Sequence, residues 1–113
     1  ETEVAVAKKR KIDPYELLIA EAQKAKPGCE GLFFLPYLTG ERCPHPDPNA
    51  RGGWIGLSAR SRRPDMIRSL LEGVTFGMRD ALEIMRQMNI PISQLRASGL
   101  APSMPARRVA ATV

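Results

Sequence analysis

The chain has 113 residues, 43% of them apolar and 26% charged, with a formal net charge of +5. That length suits one small domain or a piece of one, and no run approaches the ~20 apolar residues of a membrane span, which excludes a transmembrane helix. Much of the positive excess lies in Lys8 to Lys11 and in Arg107 and Arg108, without the interleaved aromatics or zinc-ligand spacing of a nucleic-acid interface, so it reads as solvated surface.

In chain order, residues 1–12 are expected to be a flexible N-terminal segment. Their basic cluster follows a short apolar run, the reverse of a secretory signal, and a cytoplasmic protein is therefore expected. The stretch DPYELLIAEAQKAKPG predicts a helix over about residues 14 to 26. Asp13 is placed to cap it, Pro14 suits its first position and Glu16 completes a capping box. Leu18, Ala22 and Ala25 share one face, and Pro27 with Gly28 ends it. GLFFLPYL then predicts a buried strand over 32 to 35, stopped by Pro36.

Residues 41–57, ERCPHPDPNARGGWIGL, gather Pro44, Pro46 and Pro48 with the chain's only histidine and only tryptophan. The prolines bar helix and central strand, while Gly40, Gly52 and Gly53 permit turns, so a stiffened irregular loop is expected. Cys43, His45 and Asp47 alternate, yet no second ligand group of zinc spacing accompanies them. Nor does alternation make Cys43 and His45 face each other as a nucleophile and base. Glu41, Arg42, Asp47 and Arg51 read instead as partners that fasten the loop by charge-assisted hydrogen bonds, with Trp54 packed beneath it. Cys29 and Cys43 are too few for a disulfide framework and are expected as reduced thiols.

WIGLS predicts a second strand, and RRPDMIRSLLEGVTFGMRDALEIMRQMN a long amphipathic helix. Ile67, Leu70, Leu71, Val74, Met78, Ala81, Leu82 and Met85 form a stripe expected to face a core. Arg68, Glu72, Arg79 and Glu83, paired at four-residue spacing, are expected in water. Gly73 and Gly77 share another side, where close approach of a backbone would offset their cost of about 1 kcal/mol each relative to alanine. Gln94 to Ser98 alternate weakly as a further strand, and residues 100–113 lack any period.

The run from Gly31 to Arg86 resembles the FGGY family of carbohydrate kinases, most closely its xylulokinases, where LPYLxGERxPHxDPxARGxxxGL is followed by a helix reading RAVLEGVAFxLRD. Here that helix is Arg68 to Asp80, and the resemblance extends over about residues 12 to 99. It implies an α/β fold, an incomplete actin-like (ribonuclease H-like) ATPase domain with a mixed sheet and a long amphipathic helix. Residues 13–99 would be part of the C-terminal kinase domain and 100–113 a divergent or disordered tail.

By resemblance the complete enzyme uses ATP and Mg2+ to phosphorylate a sugar, D-xylulose for xylulokinases, with a homodimer among its possible assemblies and no nucleic-acid or membrane partner. The family's aspartate base falls outside this chain, which leaves no catalytic residue and no metal ligand to assign. Ser98 and Gly99 match the start of the family's glycine-rich nucleotide turn, but LAPSMPARR then replaces GGGAxSxxW. Leu100 and Pro102 would obstruct the close approach that glycines allow, so a truncated or out-of-frame kinase end is expected there. The resemblance makes Gly40, Glu41, Arg42, Asp47, Arg51 and Gly52 a loop bracing the interdomain cleft. Two readings compete for the isolated chain: a piece of a sugar kinase, for xylulose or another ketose or polyol, and a non-catalytic remnant or interaction module.

Overall fold

Three helices and a two-stranded antiparallel sheet make up the described residues, 2–43 and 45–94 of the computed structural model. They follow one another as α1 (Glu3–Arg10), α2 (Pro14–Ala22), a 3-10 turn at Cys29–Gly31, β1 (Phe33–Leu35), β2 (Gly53–Ile55) and α3 (Arg63–Gln87). No described helix is long and apolar enough to cross a membrane.

Where a flexible segment is expected over residues 1–12, the chain forms α1. Its charges suit a helix dipole, with Glu3 in the first turn and Lys8, Lys9 and Arg10 in the last. So short a helix is marginal alone, and it is held by burial of Ala7 and by an ion pair between Glu3 and Arg63 of α3.

α2 starts where its cap predicts: Asp13 Oδ1 accepts the Tyr15 N–H at 2.9 Å, with Pro14 first in the helix. It stops at Ala22 rather than near residue 26. Lys24 and Ala25 bond three residues back, to Glu21 O at 3.0 Å and Ala22 O at 3.1 Å, and this tighter turn ends the α-helical ladder while still burying Ala25.

β1 forms inside the run expected over 32 to 35, though of its residues only Phe34 is buried and Phe33 is 50% exposed, and β2 covers Gly53–Ile55 instead of running on through WIGLS; they pair in the register Phe33 with Ile55, Phe34 with Trp54 and Leu35 with Gly53. α3 spans nearly the whole predicted segment. The Arg62 N–H donates to Asp65 Oδ2 at 2.9 Å to open it, and Asn89 at φ 57 closes it in the left-handed conformation.

The facing of α3 departs from expectation. Its buried residues are Asp65, Ser69 and Gly73, whereas of the stripe expected to face a core Leu70, Leu71, Val74, Met78 and Met85 are exposed, Met78 to 58%, and Ile67, Ala81 and Leu82 are half-buried. The buried core is instead Ala7, Ala22, Ala25, Cys29, Leu32 and Phe34. Periodicity marks the side of a helix that can be buried; contact here is decided by Gly73, whose missing side chain lets the Phe34 carbonyl of β1 come directly against the helix backbone.

Candidate functional site

Pro36 ends β1 and releases the chain into the loop that returns at Gly52. The loop closes upon itself. The Glu41 N–H donates to Asp47 O at 2.8 Å and the Asp47 N–H to Glu41 O at 2.9 Å, which forms an antiparallel bridge inside the loop. The Glu41 carboxylate turns back to accept the N–H groups of Arg42 (2.7 Å) and Cys43 (2.8 Å). Asp47 Oδ1 accepts the Asn49 N–H at 2.8 Å, an Asx turn. The Arg51 guanidinium donates to Pro48 O at 3.0 Å and Ala50 O at 2.7 Å.

Two glycines complete the closure. Gly40 has φ +91 and sits so near Pro48 that a Cβ would lie 3.0 Å from its Cα and its carbonyl oxygen. At Gly52 a Cβ would fall 2.7 Å from Leu38 Cδ2 and 2.9 Å from Leu35 O. Of the residues expected to fasten the loop, Glu41, Asp47 and Arg51 thus have side chains bonded to loop backbone. Arg42 is joined through its N–H.

Trp54 is packed differently from expectation. Its ring lies 4.8 Å from that of Phe34, centroid to centroid, and its indole N–H donates to Ser69 Oγ at 3.1 Å. Ser69 in turn donates to Met66 O at 2.9 Å. The indole therefore ties the return strand to α3, because cross-strand pairing with Phe34 carries it toward the helix.

A second cluster was not legible as such. Arg68 and Glu72, expected as a solvated pair, bond each other at 2.7 Å and hold the turn before β1. Arg68 donates to Ala25 O at 3.0 Å, and Glu72 Oε2 accepts the Gly28 N–H at 3.1 Å and the Cys29 thiol at 3.7 Å. Burial, and then the Glu72 carboxylate, push the Cys29 thiol up to about 11. Cys29 and Glu30 both have left-handed φ, 47 and 53, a conformation costly outside glycine. The Glu72 contacts fasten that turn. No spacing in the sequence signals them, because Glu72 meets Gly28 and Cys29 across a long stretch of chain. Glu83, by contrast, pairs with Arg86 at 3.7 Å on the exposed side.

Between β1 and α3 runs a groove of about 280 Å³, lined among others by Phe33, Pro36, Tyr37, Phe76, Gly77 and Asp80. Cys43 and His45 lie exposed in the loop, and Cys29 and Cys43 are both free thiols. Ser98 and Gly99, with the rest of the expected strand beyond Gln94 and the tail 100–113, lie outside the described residues.

Comparison with known proteins places these features in a family context. Residues 1–103 match the model of the FGGY family of carbohydrate kinases, C-terminal domain. The chain is 38% identical over 99 residues to a gluconokinase of Bacillus subtilis, covering 87% of this chain and 19% of that protein. It is 46% identical over 70 residues to a xylulose kinase of Lactococcus lactis, covering 62% of this chain and 14% of that protein. Among solved structures, a xylulose kinase from Bifidobacterium adolescentis superimposes with a TM-score of 0.64 at 33% identity, over 80% of this chain and 18% of that one. The chain thus spans less than a fifth of the length of these relatives. Their names divide between two substrates, so the resemblance to xylulokinases in particular narrows to a resemblance to the family.

Proposed function

The chain belongs to the FGGY family of carbohydrate kinases, as part of its C-terminal, actin-like ATPase domain, and from that premise we propose that it contributes a structural wall to an enzyme transferring the γ-phosphoryl group of MgATP to a sugar hydroxyl. The observation carrying this is the family match over residues 1–103. In such a transfer most of the catalysis is positioning and charge stabilisation, which requires rigid supports around the cleft. The self-bonded loop from Gly40 to Gly52 suits that support, with Glu41, Arg42, Asp47 and Arg51 as its fastening residues. Ser98 and Gly99 belong in this reading beside the nucleotide.

The sugar is proposed as D-xylulose. Gluconate is the second reading, favoured by the gluconokinase relative. Alone, the chain is read as inactive, since the family's general base lies elsewhere in the enzyme.

The test exchanges this chain for the matching segment of the Lactococcus lactis xylulose kinase and measures ATP-dependent phosphorylation of D-xylulose and of gluconate. Retained turnover supports the proposal, and a second exchange, into the Bacillus subtilis gluconokinase, distinguishes its two forms by which host keeps the larger share of its own turnover. A chimera that melts cooperatively yet phosphorylates neither would refute both.

A further inference from the structure

Charges from three helices meet at the start of α3. The Arg63 guanidinium pairs with the Glu3 carboxylate of α1 and, at 3.5 Å, with that of Glu21 in α2. A backbone hydrogen bond within Glu3, and then the Arg63 guanidinium, hold the Glu3 carboxyl below its ordinary value of 4.5. Packing secures α1 only in part. Ala7 is its one buried residue, and against α2 it leaves a groove of about 350 Å³ lined among others by Val6, Leu17 and Ala20. Arg10 of α1 and Lys24 of α2 line the same groove, so beyond the Arg63 pairs the two helices bring like charges to it.

The closing turn of α1 is self-contained. The N–H groups of Lys11, at φ 54, and of Ile12 both donate to Ala7 O within it. Only Ile12 and Asp13 then separate that turn from Pro14, the first residue of α2. We propose that α1 is a strap over α2, latched by Arg63, which opens at Ile12 and Asp13 while α2 and α3 stay folded. An eight-residue helix is marginal in water, so the opened strap loses its helix. Opening uncovers Val6, Leu17 and Ala20 and frees Lys8 to Lys11. It responds to salt, because the Arg63 side chain is 55% exposed and its pairs are screened by mobile ions. The proposal stands independently of the kinase reading.

The test is native-state hydrogen exchange on the full chain at neutral pH, in about 20 mM and about 500 mM NaCl. It compares the amides of Ala7 to Arg10 with those of Val74 to Glu83 in the middle of α3. Arg63→Gln removes the shared cation. Glu3→Gln removes one arm of the latch from α1 itself, which leaves α2 and α3 untouched should the first variant fail to fold.

Exposed ion pairs are individually modest, so the α1 amides of Arg63→Gln are expected to exchange about three-fold faster or more, with a comparable rise for the native chain at high salt. The variant should lose most of that salt dependence, and the amides in the middle of α3 should keep their rates throughout. Equal exchange of α1 and α3 overturns the proposal, because the two would then open only together. So does an α1 indifferent to Arg63→Gln and Glu3→Gln. A salt response that survives Arg63→Gln also overturns it, by placing the latch on other charges. So do α1 amides that exchange as freely as an unfolded chain in the native protein at low salt, since nothing would then be latched.

Discussion

Gly73 of α3 lies against the carbonyl of Phe34 in β1 so closely that a Cβ at this position would overlap the oxygen. One helical turn on, Gly77 has nothing within 4 Å of the same hypothetical atom. Gly73→Ala is therefore expected to destabilise the chain by about 1–3 kcal/mol, through forced separation of helix and strand. Gly77→Ala is expected to stabilise it by about 0.5–1 kcal/mol through helix propensity and a restricted unfolded state. Urea melts of the two variants check this. Shifts of the same sign and size would show that the contact has no energetic weight.

Ser69→Ala removes the acceptor of the Trp54 indole N–H and the hydroxyl bonded to Met66 O. A loss of about 1 kcal/mol is expected. Since Trp54 is the chain's only tryptophan, its emission should shift to the red and its quenching by iodide rise. An unchanged spectrum would mean that the indole is not anchored there.

For Cys29 the sign of the pH dependence follows from its raised pKa. An unfolded thiol loses its proton near 9.0, the native one only near 11, so the native state holds more protons between those values. Stability from this group is complete below pH 9.0 and falls as pH rises toward 11. Melts at pH 8.5 and 10.5 should show a smaller drop for Cys29→Ala than for the native chain. At pH 8 the exposed Cys43 should alkylate well before the buried Cys29.

Glu72→Ala is expected to cost about 1–3 kcal/mol, because the Gly28 N–H, the Cys29 thiol and the Arg68 guanidinium lose their shared acceptor. Hydrogen exchange at Gly28 should accelerate more than at mid-helix amides of α3. Equal acceleration throughout would reduce Glu72 to an ordinary surface carboxylate.

In a complete enzyme containing this segment, Arg51→Ala should lower thermal stability and turnover together, since its two bonds hold the loop at Pro48 and Ala50. A fully stable enzyme with only its turnover lost would refute the bracing role and make Arg51 a residue of the chemistry.

Much of the fold was readable because its signals are local. A cap, a proline and a period of three and four residues locate α2 and α3, and two short apolar runs locate β1 and β2. α1 escaped notice because what holds it is tertiary: Ala7 is buried where α1 packs on α2, and Glu3 pairs with Arg63 far along the chain. The same cause hid the Glu72 cluster and the anchoring of Trp54 on Ser69. The side on which α3 meets its neighbour was written in Gly73 rather than in the stripe of leucines and methionines. The stripe shows where burial would be favourable, but a neighbour must be present to bring it about. For the loop, the residue types were informative, yet which carboxylate bonds which amide depends on turns that composition does not order.

The bridge between Glu41 and Asp47 also bears on how the chain folds. β1 and β2 can pair only after residues 36–52 are closed into a ring, and the chain entropy lost in closure rises with the length of free chain. Because Glu41 and Asp47 exchange two backbone bonds across a short inner turn, that part can organise first and leave a shorter stretch for the strands to close. Loosening the inner turn, for example by Glu41→Ala, which removes the acceptor of the Arg42 and Cys43 N–H groups, should then slow refolding, whereas Gly73→Ala, acting on a contact made after the strands have paired, should chiefly hasten unfolding.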